Sequence, residues 1–244
     1  MKASELFSKI NQVLMLHNSK DAEILEINTE LQLNVKKGNR KPIPANVWLI
    51  SMQSSENCIS RELGMCGIAD DCYVLAYERN PFMRDQTLRC RDEDEAAIDY
   101  LVSNNMGSFL ANELIRRDSL SRNHHLEYLR WNESGDMKSL DHFLFVDEIA
   151  DIVYDGIGAV SVIYTKRKDL WDKFKKIRKS DHLIVNGSDF MADNEFLAVE
   201  EFHDGKDHCS SNCEKCFEED LYWCYNIENT GRSIEEKLRK NKRE

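Results

Sequence analysis

The run VWLISM, Val47 to Met52, decides the fold. It is short, apolar and without helical spacing, which reads as a buried strand. A basic, Gly- and Pro-marked stretch, Lys36 to Pro44, precedes it as a turn, and a cysteine-bearing loop follows it directly. Downstream, helical and strand patterns alternate. Asp92 to Leu120 reads as one long helix, with Asp92, Glu93, Asp94 and Glu95 in its first turn and Arg116 and Arg117 near its end, charges that complement the helix dipole. Leu126–Trp131 reads as a strand. Ser139 caps a helix that runs to Tyr154 and stops at Gly156. Ala159–Tyr164 (AVSVIY) reads as a strand, Lys168–Arg178 as a helix, and Leu183–Val185 and Phe196–Val199 as strands. This alternation predicts βαβ units and a parallel sheet. The expected fold is therefore α/β: a partial or complete parallel β/α barrel with a cysteine-rich C-terminal extension, an open doubly wound sheet being the second option. In both, the loops that follow strands share one face, where sites are built. Upstream, Leu6, Ile10, Val13, Leu14 and Leu16 have helical spacing, and Glu23–Leu33 gives a mixed signal. The expected division is a helical lead-in over 1–45, the β/α domain over 46–202, and a cysteine-rich segment with a basic tail over 203–244.

Composition narrows the function. The chain has 244 residues, 41% hydrophobic and 32% charged, with a net charge of −11. That average field repels nucleic acid, so broad phosphate binding is disfavoured. The Lys- and Arg-rich stretch from Arg232 to Arg243 reads as a solvated terminal segment. No apolar run approaches the roughly 20 residues that cross a bilayer. The first twenty residues lack the apolar core of a secretory signal. A cytoplasmic protein with no membrane partner is expected, and its small-molecule substrate and oligomeric state are not specified by the sequence.

Eight cysteines carry most of the functional signal. A reducing cytoplasm disfavours four structural disulfides, and clustered cysteines there hold metal. Cys58, Cys66 and Cys72 lie together after the Val47–Met52 strand, with seven and five residues between them. Three thiolates on a strand-to-helix loop can hold three irons of a [4Fe–4S] cluster, leaving the fourth open. Zinc is the rival, although structural zinc sites favour cysteines two to four residues apart. Three buried, unliganded thiols are the third reading. Cys90 stands alone among charged neighbours.

Cys209, Cys213, Cys216 and Cys224 form the second group. Four thiolates close a site, and by count a [4Fe–4S] cluster and a tetrahedral zinc fit equally. Its first three members have the x3, x2 spacing of radical S-adenosylmethionine enzymes, but they lie after the last strand, not the first. His203 and His208 nearby read as surface residues.

Three further polar stretches end successive strands: Trp131 to Asp136, then Thr165, Lys166 and Arg167, then Asn186-Gly187-Ser188-Asp189. Each alone is ordinary turn chemistry. Their recurrence on one face points to a site. His124 and His125 lack a ligand-spaced partner. Phosphate-loop, dinucleotide, nucleophile-elbow and His-Glu-x-x-His motifs are absent, so the sequence lends no support to hydrolase or nucleoside-triphosphatase readings.

Taken in order, these motifs resemble the phage-associated "gene product eighty-eight" family. The matching residues are Asn18-Ser19-Lys20, Cys58, Cys66, Cys72-Tyr73, Arg130 to Asp136, Tyr164-Thr165-Lys166, Asn186-Gly187-Ser188 and the terminal cysteines, spanning about residue 18 to 225. The layout is also similar to radical S-adenosylmethionine enzymes, in which a first strand leads into a three-cysteine loop. That resemblance implies one or two [4Fe–4S] clusters, with zinc as the alternative at the C-terminal group, and S-adenosylmethionine as a cofactor. It implies that Glu133, Ser134, Gly135 and Asp136 meet the cofactor's amino group and that Asn186 and Ser188 orient its ribose. Lys20 and Lys166 are the candidate substrate contacts. The spacing of the first group, x7 then x5, departs from the family's x3 then x2.

Overall fold

The structure is a computed structural model that describes residues 22–28, 30–38, 46–67, 69, 72–79, 81, 84–122, 125–199, 207–209 and 233–237. The strands are β1 (Ala22–Glu26), β2 (Gln32–Lys37), β3 (Val47–Ile50), β4 (Tyr128–Trp131), β5 (Val160–Thr165), β6 (Leu183–Ser188), β7 (Asn194–Val199), β8 (Asp207–Cys209) and β9 (Ser233–Lys237). The helices are α1 (Ile59–Glu62), α2 (Tyr73–Glu78), α3 (Arg84–Ser103), α4 (Gly107–Leu120), α5 (Leu140–Ile157) and α6 (Lys168–Phe174). Among the described residues, nine strands form one sheet in the order β1-β2-β3-β4-β5-β6-β7-β9-β8. β1, β2 and β3 pair antiparallel, and every pairing from β3 onward is parallel. The expected α/β class and mostly parallel sheet are present. From β3 to β7 the strands stand in sequence order, without the reversal of a doubly wound sheet. No described helix is long and apolar enough to cross a membrane.

The register separates two faces. Trp48, Leu129, Ser161 and Leu183 form one row, and Ile50, Trp131, Ile163 and Val185 the next. The apolar members of these rows pack with Ile98, Leu101, Leu114, Phe143, Val146, Ile149, Val153 and Phe174 of the helices. Trp131 meets Phe145 edge-on, centroids 6.3 Å apart. The opposite face carries Val47, Leu49, Tyr128, Val160, Val162 and Ile184, a second cluster made of strand residues alone. Each side chain taken fully out of water here contributes roughly 1.5–3 kcal/mol before entropy. This two-sided burial explains why the strand sequences read as continuous apolar runs.

Several expectations need correction. Ala22–Glu26 and Gln32–Lys37, expected in a helical lead-in, are two strands of the main sheet, and between them Asn28 Oδ1 accepts from the N–H groups of Glu30 and Leu31 at 2.8 Å. The long helix expected over 92–120 is two helices. Asn105 takes a left-handed φ of 52° between them. Because α3 starts at Arg84, Asp92 to Glu95 lie inside it, so the helix dipole does not account for them. α5 runs through Gly156 to Ile157 and ends at Gly158, φ 73°. Gly156 is where α5 meets α4: a Cβ there would stand 2.5 Å from Ile115 Cδ1. The C-terminal segment is not only an extension, since β8 and β9 join the sheet.

Candidate functional site

The carboxyl ends of β3 to β6 collect the polar residues. The segment leaving β3 is buried although it is polar: Ser51, Gln53, Ser54 and Ser55 all lie inside. Its hydrogen bonds explain why. Met52 N–H donates to Ser134 O at 2.9 Å, and Ser134 Oγ donates to Gln53 O at 2.6 Å. Gln53 Oε1 accepts from Ile59 N–H at 3.1 Å. Ser55 donates its N–H, at 2.9 Å, and its hydroxyl to Glu78, which also pairs with buried Arg91. The segment leading into the cysteines is thus fixed to β4's loop through Met52 and Gln53, and to α2 and α3 through Ser55.

Each cysteine of the first group opens a turn through its carbonyl. Cys58 O accepts from Arg61 and Glu62 N–H at 3.0 and 3.1 Å, Cys66 O from Ala69 at 3.2 Å, and Cys72 O from Leu75 at 3.1 Å. All three are half-buried. Burial pushes the Cys58 thiol up to about 11, with the charges of Asp136 and Cys66 adding to it against the backbone bonds from Arg61 and Ser60. A metal at Cys58 must therefore displace a proton. Among the described residues, no three His, Cys, Asp or Glu side chains gather closely enough to hold a metal ion. The donor set suits iron or zinc in kind and number, and it lies on one segment, but it is not closed into a cage. Cys90 sits on α3, where its carbonyl accepts from Asn34 Nδ2 at 3.4 Å.

The segment after β4 is a hydrogen-bonded knot. Asp136, buried, accepts from Ser60 Oγ at 2.6 Å, Thr165 Oγ1 at 2.6 Å, Lys166 N–H at 2.9 Å and Met137 N–H at 2.7 Å. Burial raises its carboxyl, and those four donors oppose the rise. Gly135 has φ 78°, and a Cβ on it would stand 2.5 Å from Gln53 N. Its close approach is to the protein's own backbone. Glu133 accepts from Ser51 Oγ at 2.8 Å and Lys36 Nζ at 3.0 Å, with Arg91 at 3.5 Å. Burial pushes Glu133 up, but Lys36 and Arg91 outweigh it and hold the carboxyl at about 2. Glu133, Ser134, Gly135 and Asp136 are thus engaged with protein groups.

Beyond β5, Lys166 Nζ pairs with Asp189 at 2.7 Å, and Arg167 is bidentate on Asp169 at 2.8 Å. The register sets Tyr164 beside Asn186 and Asn186 beside Asn194, with Ser188 beside Phe196. Asn132, φ 57°, donates Nδ2 to Tyr164 O at 2.9 Å. Asn186 Oδ1 accepts from Asn194 Nδ2 at 3.0 Å. Asn132 Oδ1 and Asn186 Nδ2 are buried without a hydrogen-bond partner. Arg130 lies over the Tyr164 ring at 4.7 Å.

The structure therefore brings the three predicted polar stretches together with the first cysteine loop. Ser60 and Gln53, which join that loop to Asp136 and Ser134, were not legible as site residues. The only hint was a polar Ser51–Ser55 run directly after an apolar strand. Lys20, Cys213, Cys216 and Cys224 lie outside the described residues, and of Cys209 only its place at the end of β8 is described. No family model, no curated protein and no solved structure matches this chain.

Proposed function

We propose that this is an iron–sulfur protein resembling radical S-adenosylmethionine enzymes, built on a partial β/α barrel whose inner face is the strand-only cluster. Cys58, Cys66 and Cys72 hold a [4Fe–4S] cluster at the barrel's carboxyl end, and Cys209, Cys213, Cys216 and Cys224 hold a second, closed centre. The observation that carries this is the anchoring of the three-cysteine segment to the β4 loop by Ser60–Asp136 and Ser134–Gln53. When bound, such a cluster supplies an iron with an open coordination position. The chain's own residues fix the segment that presents the thiols. Asn132 Oδ1 and Asn186 Nδ2 offer an acceptor and a donor to a polar ligand such as S-adenosylmethionine, with Ser188 two residues farther along the strand from Asn186. Calorimetry on anaerobically reconstituted protein tests the cofactor: binding that weakens in Asn186→Ala supports it, and no binding at millimolar cofactor rejects it.

A second reading is a zinc- or cluster-stabilised binding protein without catalysis. It is favoured by Glu133 and Asp136, whose carboxylates are taken up by protein donors. Stoichiometric zinc in a colourless anaerobic preparation selects this reading.

A further inference from the structure

A second group of reactive side chains lies outside the cysteine site, between α3 and the start of α5. Ser139 Oγ stands 3.0 Å from His142 Nδ1, and His142 Nε2 stands 3.1 Å from Asp99 Oδ1. Ser139 is half-buried, His142 is 6% exposed, and the Asp99 side chain reaches solvent. Burial pushes Asp99 up, but hydrogen bonds from His142 and Lys138 outweigh it and hold its carboxyl below the usual range. An ionised Asp99 only accepts, so it takes the Nε2–H of His142. That leaves Nδ1 as the acceptor for the Ser139 hydroxyl, which is the tautomer a general base needs.

A serine opening a helix with a histidine three residues on has an ordinary explanation, helix capping. One observation separates the two. The Ser139 side chain makes no capping hydrogen bond to α5. Its hydroxyl is directed to the imidazole, while the first N–H groups of this 18-residue helix have no intrahelical acceptor. A nucleophile, a base, an orienting carboxylate and a set of N–H donors suited to a developing oxyanion thus meet at one helix end.

We propose that Ser139, His142 and Asp99 form a nucleophilic site that hydrolyses carboxylic esters. As Oγ of Ser139 bonds to the acyl carbon, its proton passes to Nδ1 of His142. The bond from the acyl carbon to the alcohol oxygen then breaks, and that oxygen takes the proton from Nδ1. Water gives a proton to Nδ1 as it attacks the acyl-serine, and Oγ recovers that proton as the carboxylic acid leaves. The backbone N–H groups of Leu140 and Asp141 face the oxyanion of each tetrahedral step. Lys138, which pairs with Asp99 and with Glu95, holds the carboxylate in place. The step needs no metal, so it stands or falls separately from the cysteine sites.

The test is labelling of the full-length protein with an alkyl fluorophosphonate, read by intact mass and peptide mapping, with circular dichroism to confirm that each variant is folded. The expected result is one adduct on Ser139, formed at least tenfold more slowly in His142→Gln and severalfold more slowly in Asp99→Asn, and none at that peptide in Ser139→Ala. Hydrolysis of p-nitrophenyl acetate should fall in the same order. Folded wild-type protein without an adduct on Ser139, or equal labelling in wild type and His142→Gln, overturns the proposal.

Discussion

Asp136 accepts the Ser60 hydroxyl at 2.6 Å, joining the loop after β4 to the residue two positions beyond Cys58. A buried carboxylate with five donors, Asn132 Nδ2 at 3.4 Å being the fifth, is a strong fixed point, because removing it strands every donor at once. Asp136→Ala should therefore cost roughly 3 kcal/mol or more, and Ser60→Ala roughly 1–2 kcal/mol. Urea unfolding of both variants measures this, and a larger loss from Ser60→Ala would contradict the assigned hierarchy.

Gly135 and Gly64 both have positive φ, 78° and 67°, but differ in surroundings. A Cβ at 135 collides with the Gln53 backbone, whereas at 64 nothing lies within 4 Å. Gly64→Ala should cost about 1 kcal/mol, the backbone penalty alone, and Gly135→Ala clearly more because rigid main chain must shift. Thermal melts compare them directly. Equal losses would mean that the β3 and β4 loops are not in contact at this point.

Asp94 is fully buried on α3, where Oδ1 accepts from Asn34 N–H at 2.7 Å and Nδ2 at 2.8 Å, and Oδ2 has no partner. Burial raises its carboxyl from 3.8 to about 7. Between those values the folded protein holds a proton that the unfolded chain has released. Stability contributed by this group is therefore lost as pH rises from about 4 to 7, on the order of a few kcal/mol. Asp94→Asn should melt nearer to wild type at pH 5 and gain on it by pH 8. A melting difference that is constant over this range would show that Asp94 does not titrate there.

Much of the fold was legible because the strands announce themselves. Val47–Ile50, Val160–Thr165 and the Leu183–Val185 part of β6 are buried on both faces and so read as largely apolar runs. β1 and β2 carry Glu, Gln, Asn and Lys within their strands, and their place depends on long-range contacts such as Asn34 with Asp94. The break at Asn105 was hidden because asparagine tolerates both helix and left-handed turn. The cysteine spacing exposed one candidate site. The Ser139–His142–Asp99 group did not show, because Asp99 comes from another helix, some forty residues upstream, and no local motif marks it.

The proposed [4Fe–4S] cluster requires Cys58, Cys66 and Cys72 together. Its most direct test is the iron and acid-labile sulfide content of anaerobically reconstituted full-length protein, wild type against the Cys58→Ser/Cys66→Ser/Cys72→Ser triple variant. The expected result is a brown wild-type protein and a loss of about four irons and four sulfides per chain in the triple variant, with the remaining iron retained. Equal iron in both proteins, or a colourless wild type carrying zinc, would contradict it.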